Sequence, residues 1–174
     1  MMRNTLLPED IVRLAERVIA ENRAAGRTVT VAESCTGGLV AAALTEIAGS
    51  SAVFERGFVT YSNAAKMEDL QVSGDLIETF GAVSIACVWA MAQGALLRSN
   101  ADVAVAISGV AGPEGGTDLK PIGTVVFARA VRAQMRHEDT ELRKFDENNR
   151  AGVRRQATLC ALDLLLPRES DFPN

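Results

Sequence analysis

The amino-acid sequence predicts a single α/β domain: a layered α/β/α arrangement with a mostly parallel central sheet and an antiparallel hairpin at one edge. Segments with strand-like patterns alternate with segments of helical periodicity along most of the chain. The run from Val103 to Ile107 is apolar without interruption, which is typical of a strand covered on both faces. The chain has 174 residues, of which 48% are hydrophobic, enough for one well-filled core. We therefore treat residues 1–174 as one domain with its core at about 8–166.

Each element rests on a local pattern. Apolar residues recur at helical spacing in the predicted helices, which cover 8–24, 39–47, 64–70, 72–81, 85–99 and 150–166. β-Branched and apolar runs mark the predicted strands, which cover 28–32, 54–60, 102–108 and 122–131. Asn63 and Ser84 stand where they would cap the third and fifth helices. The alternation in 134–145 is weak, and we assign this segment to an edge strand paired with the strand before it.

The stretch from Thr28 to Gly38 organises the rest of the chain. Its first half predicts a buried strand, and its second half is a tight polar turn that leads into a helix rich in alanine and leucine. Such a strand–turn–helix presents free backbone N–H groups and the positive end of a helix dipole. The hydroxyls of Ser34 and Thr36 stand where an oxyanion or a phosphate would be stabilised. The alternative is that one of them merely caps the helix and the glycines only close the turn.

Polar residues follow three of the predicted strands. These residues are Ser34 and Thr36, then Tyr61, Ser62 and Asn63, and finally Ser108 and Gly109. In open α/β sheets, ligands bind beyond the carboxyl ends of the strands. If the three strands are parallel neighbours, the three groups converge on one edge of the sheet, and the sequence predicts a binding site there.

Composition and charge narrow the classes of function. A net charge of -4 argues against a dedicated nucleic-acid binder, which is normally basic. The sequence shows no long apolar run, secretory signal or lipidation motif, so we expect a cytoplasmic protein without a membrane partner. The three cysteines are far apart and form no CxxC pair, which suits a reducing compartment. Zinc motifs, the Walker A pattern and GxGxxG are absent, so we expect neither a metal nor a cofactor.

The available bases decide which chemistry a serine at this edge could perform. A nucleophilic serine needs a base within hydrogen-bond reach. The one histidine, His137, lies in a charged segment and is expected at the surface, so a Ser–His–Asp triad is poorly supported. Of the lysines Lys66, Lys120 and Lys144, Lys66 alone follows an expected strand end on the edge where Ser34 is expected. Burial would lower the pKa of this lysine enough for it to accept the serine proton; the alternative is an exposed helix lysine.

Several motifs follow one another in a fixed order along the chain. They are AESCTGG at 32–38, YSNAAK at 61–66, GAVS at 81–84, SGVAGP at 108–113, GGT at 115–117 and PIGTV at 121–125. Together they closely resemble the CinA C-terminal domain family, over roughly residues 8–166. The resemblance implies hydrolysis of the carboxamide of nicotinamide mononucleotide to the acid, with release of ammonia, in pyridine-nucleotide recycling. Larger CinA proteins carry a second, pyrophosphatase-type domain, and we expect no counterpart of that domain here.

The resemblance also implies roles for individual residues, in a mechanism without metal. Ser34 is the expected nucleophile and Lys66 its base, while Tyr61 assists proton transfer or holds the lysine in place. N–H groups from Cys35 to Gly38 are the expected oxyanion hole. Contacts with the small-molecule substrate are expected from Glu33, Cys35, Thr36, Gly37, Gly38, Asn63, Ser108, Gly109, Gly112 and Arg150. A homo-oligomer is compatible with this expectation.

Two other classes of function stay open. One is the hydrolysis of a different small amide. The other is a non-catalytic nucleotide-binding or regulatory protein, since the family name came from competence and DNA-damage regulons. Ammonia release separates the first class from the second.

The chain departs from the family pattern at two places near the expected substrate. Glu114 stands in the glycine-rich loop where the family usually has a small residue, and a carboxylate beside a phosphate is unfavourable unless it points away. The segment from Phe145 to Arg150 is one residue longer than usual and lacks the usual glycine. These departures bear on substrate affinity more than on the type of reaction.

Overall fold

A computed structural model describes residues 5–134, 139–147 and 149–172. The helices, in chain order, are α1 (Glu9–Ala24), α2 (Leu39–Thr45), α3 (Asn63–Leu70), α4 (Gly74–Phe80), α5 (Ile85–Leu97) and α6 (Arg150–Leu164). The strands are β1 (Val29–Glu33), β2 (Phe54–Val59), β3 (Val103–Gly109), β4 (Thr124–Val131) and β5 (Asp139–Lys144). Within this described part of the chain, no helix is both long and apolar enough to cross a bilayer.

The five strands form one mixed sheet in the order β2-β1-β3-β4-β5. β1 pairs in parallel with both β2 and β3, whereas β3–β4 and β4–β5 are antiparallel. In this register Glu33 lies beside Val59 on one side and Ile107 on the other, so the three parallel strands end at one edge. The predicted α/β class, with a parallel core and an antiparallel hairpin at the edge, is therefore confirmed. The weakly patterned segment after residue 134 does contain the predicted edge strand, β5.

Helices cover both faces of the sheet. On β3, Val103, Val105 and Ile107 point to the side of α1, α2 and α6, while Ala104 and Ala106 point to the side of α5. The two-residue period of a strand thus divides bulky from small side chains. Alanine on the α5 side allows that apolar helix to lie close to the sheet. The layered α/β/α arrangement follows from this division.

Capping side chains mark where the helices α3 and α5 begin. Ser84 caps α5 as predicted, because its Oγ accepts a hydrogen bond from the Cys87 N–H at 3.2 Å. For α3 the predicted cap, Asn63, is wrong. Ser62 holds the extended conformation of an N-cap, and its Oγ accepts from the Ala65 N–H at 3.0 Å. Asn63 is already the first helical residue, so α3 begins one residue earlier than the predicted cap implies, and it ends at Leu70 as predicted.

A close approach of two helices sets the position of α3. A Cβ atom added at Gly94 of α5 would lie 2.1 Å from the Leu70 carbonyl oxygen, at the end of α3. No side chain fits in that space, so the absence of a Cβ at Gly94 lets α3 rest against α5. Because α3 carries Lys66, this contact also determines where that lysine lies.

We predict that Gly94→Ala destabilises the protein although alanine is the better helix former. The clash is with backbone, which cannot rotate away, so the free energy of unfolding should fall by about 1–3 kcal/mol, as overpacking typically costs. Chemical denaturation measures the change. Gly152→Ala in α6 is the matched control, because its Cβ would meet chiefly the movable carboxylate of Glu147. Equal stability of the two variants would contradict the role of Gly94.

Candidate active site

A cleft of about 200 Å³ opens at the edge of the sheet where the parallel strands end. All three groups of polar residues that follow these strands contribute to it. Its lining residues are Ser34, Cys35, Tyr61, Asn63, Lys66, Ala82, Val83, Ser108, Gly109, Ala111 and Arg150. The expected convergence of the three strand ends is therefore present in the structure.

Lys66 and Ser34 are hydrogen-bonded at the inner end of this cleft. The Nζ atom of Lys66 lies 3.1 Å from Ser34 Oγ, 2.8 Å from the Thr60 carbonyl oxygen and 3.2 Å from the Tyr61 carbonyl oxygen. The carbonyl oxygens can only accept, so each of them takes one N–H. The third neighbour is a hydroxyl, which can accept from an ammonium or donate to a neutral amine. A neutral Lys66 would thus direct its lone pair at the Ser34 hydroxyl.

The surroundings of Lys66 favour that neutral form. The side chain is only 1% exposed, although it belongs to the first turns of a short helix. Burial lowers the pKa of Lys66 below its ordinary value, against a smaller opposing influence of the thiols of Cys87 and Cys35. Among the residues that the structure describes, no carboxylate forms an ion pair with this lysine, which would have kept it protonated. Lys66 therefore has the environment of a base rather than that of a surface lysine.

Glu33 holds the turn that carries Ser34. The residue is fully buried, and its carboxylate accepts hydrogen bonds from the N–H groups of Gly38 (3.0 Å), Val40 (3.2 Å) and Ala41 (2.8 Å). A carboxylate at the start of a helix satisfies donors that would otherwise lack partners and interacts favourably with the helix dipole. The structure thus places Glu33 as the cap of α2 rather than in the cleft lining.

Two N–H groups of the turn remain available. The N–H of Gly37 is bonded to the Ser34 carbonyl, and that of Leu39 to the Thr36 carbonyl, at 3.0 and 3.2 Å. For the N–H groups of Cys35 and Thr36, the described residues provide no oxygen acceptor, and the Cys35 N–H faces only the sulfur of its own side chain. Within the expected range from Cys35 to Gly38, these two are the donors that could receive an oxyanion.

The outer end of the cleft is formed by Tyr61 and Arg150. The Arg150 guanidinium donates to the Tyr61 hydroxyl at 2.9 Å and to the Gly112 carbonyl at 2.8 Å. The Tyr61 side chain is exposed, and its hydroxyl is bonded to Arg150. The carbonyl oxygen of Tyr61 accepts the hydrogen bond from Lys66 Nζ. Arg150 is the first residue of α6, and it brings a positive charge to the mouth of the cleft.

Not all expected site residues reach the cleft lining. Thr36, Gly37, Gly38 and Gly112 are not among its lining residues and belong to the turn after β1 or to the loop after β3. The hydroxyl of Thr36 is buried and has no hydrogen-bond partner within the described chain. His137, expected at the surface, lies outside the described residues.

Sequence reasoning missed four residues of this region. Ala82, Val83 and Ala111 line the cleft, and no sequence pattern marks small apolar residues as ligand contacts. Arg154 contacts the turn from α6, with Nε 3.1 Å from the Cys35 carbonyl oxygen and Nη2 3.1 Å from that of Thr36. Its spacing of four residues from Arg150 places both on one face of the helix, a signal that could have found it.

Within the described residues, no group of three or more His, Cys, Asp or Glu side chains is arranged to hold a metal ion. The three cysteines are free thiols, and burial raises the pKa of the Cys35 thiol to about 11. Cys35 is therefore a protonated thiol near neutral pH, which makes it a poor competitor of Ser34 as nucleophile. Of the groups in the cleft, the Ser34–Lys66 pair has the geometry of a nucleophile with its base.

Comparison with known proteins identifies similar chains that cover this whole region. Nicotinamide-nucleotide amidohydrolase PncC of Escherichia coli (strain K12) is 51% identical over 156 residues, which span 90% of this chain and 93% of that protein. A protein of the same name from Enterobacter agglomerans is 58% identical over 117 residues, or 67% of this chain and 71% of that one.

Solved structures of similar sequence share the fold. The competence/damage inducible protein CihA of Agrobacterium tumefaciens is 46% identical and superposes with a TM-score of 0.88, over 92% of this chain and 96% of that one. A competence-damaged protein (CinA) superfamily protein of Klebsiella pneumoniae 700603 is 42% identical with a TM-score of 0.83, over 89% of this chain and 94% of that one. The family described as CinA C-terminal domain matches residues 11–168. The chain belongs to the CinA C-terminal domain family.

Proposed function

We propose that this protein hydrolyses the carboxamide of nicotinamide mononucleotide to nicotinate mononucleotide and ammonia, with Ser34 as nucleophile and Lys66 as its base. The observation that carries the proposal is the 3.1 Å hydrogen bond between a buried Lys66 Nζ and Ser34 Oγ. The E. coli and E. agglomerans relatives are named nicotinamide-nucleotide amidohydrolases, which supports the same class of reaction here.

The first half of the reaction forms an acyl-enzyme. Neutral Lys66 takes the proton from the Ser34 hydroxyl while Ser34 Oγ attacks the carboxamide carbon. The carbonyl oxygen becomes an oxyanion, and the N–H groups of Cys35 and Thr36 are the donors that would stabilise it. Collapse of this intermediate breaks the C–N bond, and Lys66 returns its proton to the departing nitrogen, which leaves as ammonia. An ester of Ser34 and a neutral Lys66 remain.

The second half repeats these steps with water. Lys66 accepts a proton from a water molecule that attacks the ester carbon, and the oxyanion forms again at the same donors. Collapse returns the proton to Ser34 Oγ and releases the acid. The two carbonyl oxygens beside Lys66 hold the amine in one orientation through both halves, and Tyr61 takes part through its main chain.

The dimensions of the cleft indicate how a mononucleotide would lie in it. About 200 Å³ is less than the roughly 300–1,000 Å³ of a pocket that encloses a drug-sized ligand. The cleft therefore accommodates the ring with its carboxamide and leaves the ribose phosphate at the mouth. Arg150 lies there and can pair with the phosphate through its planar fork of donors.

Ser34→Ala should lower kcat for ammonia release by at least about 10³-fold, because the loss of the nucleophile removes covalent catalysis. Substrate binding, measured by calorimetry, should survive, since removal of one hydroxyl leaves the rest of the cleft in place. Ser51→Ala, at an exposed position outside the cleft, is the matched control. More than a tenth of the wild-type rate in Ser34→Ala would reduce Ser34 to a structural residue of the turn.

Lys66→Arg should be nearly as damaging to kcat as Lys66→Ala, because a guanidinium keeps its proton and cannot act as base. For the wild type, kcat should rise with pH as the buried ammonium loses its proton, at a pH below that of a free lysine, since burial lowers this pKa. Rates of ammonia release across pH measure both effects.

Lys144→Arg and Lys144→Ala, at an exposed position of the edge strand, are the controls for the two Lys66 variants. A near-normal kcat in Lys66→Arg would show that position 66 supplies only positive charge. The Ser–Lys mechanism would then have to be abandoned, even if ammonia release itself persisted.

Dialysis against a strong chelator should leave the rate of ammonia release unchanged, since the proposed steps use only Ser34, Lys66 and backbone donors. The assay compares dialysed protein with and without added Zn²⁺ or Mn²⁺. Activity that disappears on chelation and returns with either ion would overturn the mechanism.

A panel of small amides, scored by ammonia release, separates the proposed substrate from other amides. Turnover of a different amide with higher kcat/KM than nicotinamide mononucleotide would shift the substrate while keeping the reaction. Binding of the nucleotide without any turnover would identify a non-catalytic binding protein instead.

A further inference from the structure

Arg154 contacts the turn that carries Ser34 and has no role in the reaction steps proposed above. Its guanidinium reaches from α6 to the turn after β1 and donates to two consecutive carbonyl oxygens, those of Cys35 and Thr36, at 3.1 Å each. These are the same two residues whose N–H groups have no oxygen acceptor among the described residues. The side chain is half-buried, so part of its interaction with water has been replaced by this pair of hydrogen bonds.

Peptide geometry connects the two observations. In a trans peptide the C=O and the following N–H point in opposite directions. When Arg154 binds the Cys35 carbonyl, the N–H of Thr36 is therefore directed away from the guanidinium. The preceding peptide is held similarly, because the Ser34 carbonyl accepts from the Gly37 N–H and leaves the Cys35 N–H on the other side. Both free N–H groups thus have their orientation set by bonds to the opposite ends of their peptides.

The charge of Arg154 is directed at this turn. Its neighbour Arg155 forms an ion pair with Asp10 on α1, whereas no carboxylate within the described residues pairs with Arg154. Gly37 adopts a left-handed conformation (φ 60°), and a Cβ there would lie 3.4 Å from Arg154 Nη2. The guanidinium therefore lies against the backbone of the turn, in ordinary van der Waals contact with the position of Gly37.

We propose that Arg154 is a positioning residue for amide hydrolysis: its guanidinium orients the turn so that the N–H groups of Cys35 and Thr36 form the oxyanion hole beside Ser34. Its bond to the Cys35 carbonyl orients the Thr36 N–H directly. Its bond to the Thr36 carbonyl orients the Gly37 N–H, which holds the Ser34 carbonyl and, through that peptide, the Cys35 N–H. The inference rests on the proposed function and deepens it. Arg154 acts through the turn and does not touch the reacting atoms. Its positive charge also polarises the Cys35 carbonyl, which strengthens the Thr36 N–H as a donor in the same peptide unit.

The expected kinetic effect separates positioning from simple stabilisation. An oxyanion exists only in the transition state and the intermediate, so Arg154→Met should lower kcat by about 10²-fold and leave KM nearly unchanged. Arg154→Lys keeps the charge on a methylene stem, but an ammonium cannot bind two carbonyls as a guanidinium fork does. Its kcat should therefore lie between that of the wild type and that of Arg154→Met. The pH at which kcat rises should stay the same in both variants, because Lys66 keeps its surroundings.

Arg155→Met is the matched control, since it removes the same guanidinium one position along the same helix. The midpoint of thermal unfolding is measured for every variant, and Arg154→Lys provides the comparison if the methionine variant does not fold. A kcat of Arg154→Met equal to that of the wild type, or an equal loss in Arg155→Met, would overturn the positioning role. A higher KM of Arg154→Met with an unchanged kcat would also overturn the positioning role.

Covalent labelling of Ser34 tests the inference independently of the substrate. A fluorophosphonate probe phosphonylates an activated serine and displaces fluoride, and its transition state also places negative charge on an oxygen that the hole receives. Intact-protein mass spectrometry should show slower labelling of Arg154→Met than of the wild type and of Arg155→Met. Such a difference, found in a protein that releases no ammonia from nicotinamide mononucleotide, would support the positioning role and refute the proposed function. Equal labelling rates would refute the positioning role whichever amide is the substrate.

Discussion

A primary amine held out of water against a serine hydroxyl is the constraint on which this site depends. Removing an ammonium from water is costly, so burial lowers the pKa of Lys66 and favours its neutral amine form. The carbonyl oxygens of Thr60 and Tyr61 accept hydrogen bonds from that amine, and its third hydrogen-bond partner is the Ser34 hydroxyl. The parallel pairing of β1 with β2 brings these residues together, and the contact of Gly94 with Leu70 keeps α3 close enough.

The part of the site that follows from topology could be predicted from the sequence. The sequence predicts convergence at one edge on the condition that β1, β2 and β3 are parallel neighbours. The structure meets that condition, so Ser34, Lys66 and Ser108 approach one edge of the sheet. The choice of Lys66 followed from the few bases available. Its contact with Ser34 is in the structure, while the catalytic roles of both residues stay predictions that kinetics must test.

Other parts depend on information that a side-chain pattern does not carry. Tyr61 is expected from the resemblance to assist proton transfer or to hold the lysine in place. The atom of Tyr61 that contacts Lys66 is its carbonyl oxygen, which every residue has. Ser62 and Asn63 are both good caps, and only the backbone conformation decides between them. Arg154 lies 118 residues after Thr36 in the chain, so its contact with the turn is a property of tertiary packing alone.

The hydrogen bonds from the start of α2 to Glu33 have a consequence for where an anion can bind. Helix N-termini commonly attract phosphates, but here a carboxylate of the protein already accepts from the N–H groups of Gly38, Val40 and Ala41. None of these three donors is left for a second anion. Arg150 brings a positive charge to the mouth of the cleft. Of these two places, the mouth is therefore the one that favours an anionic group.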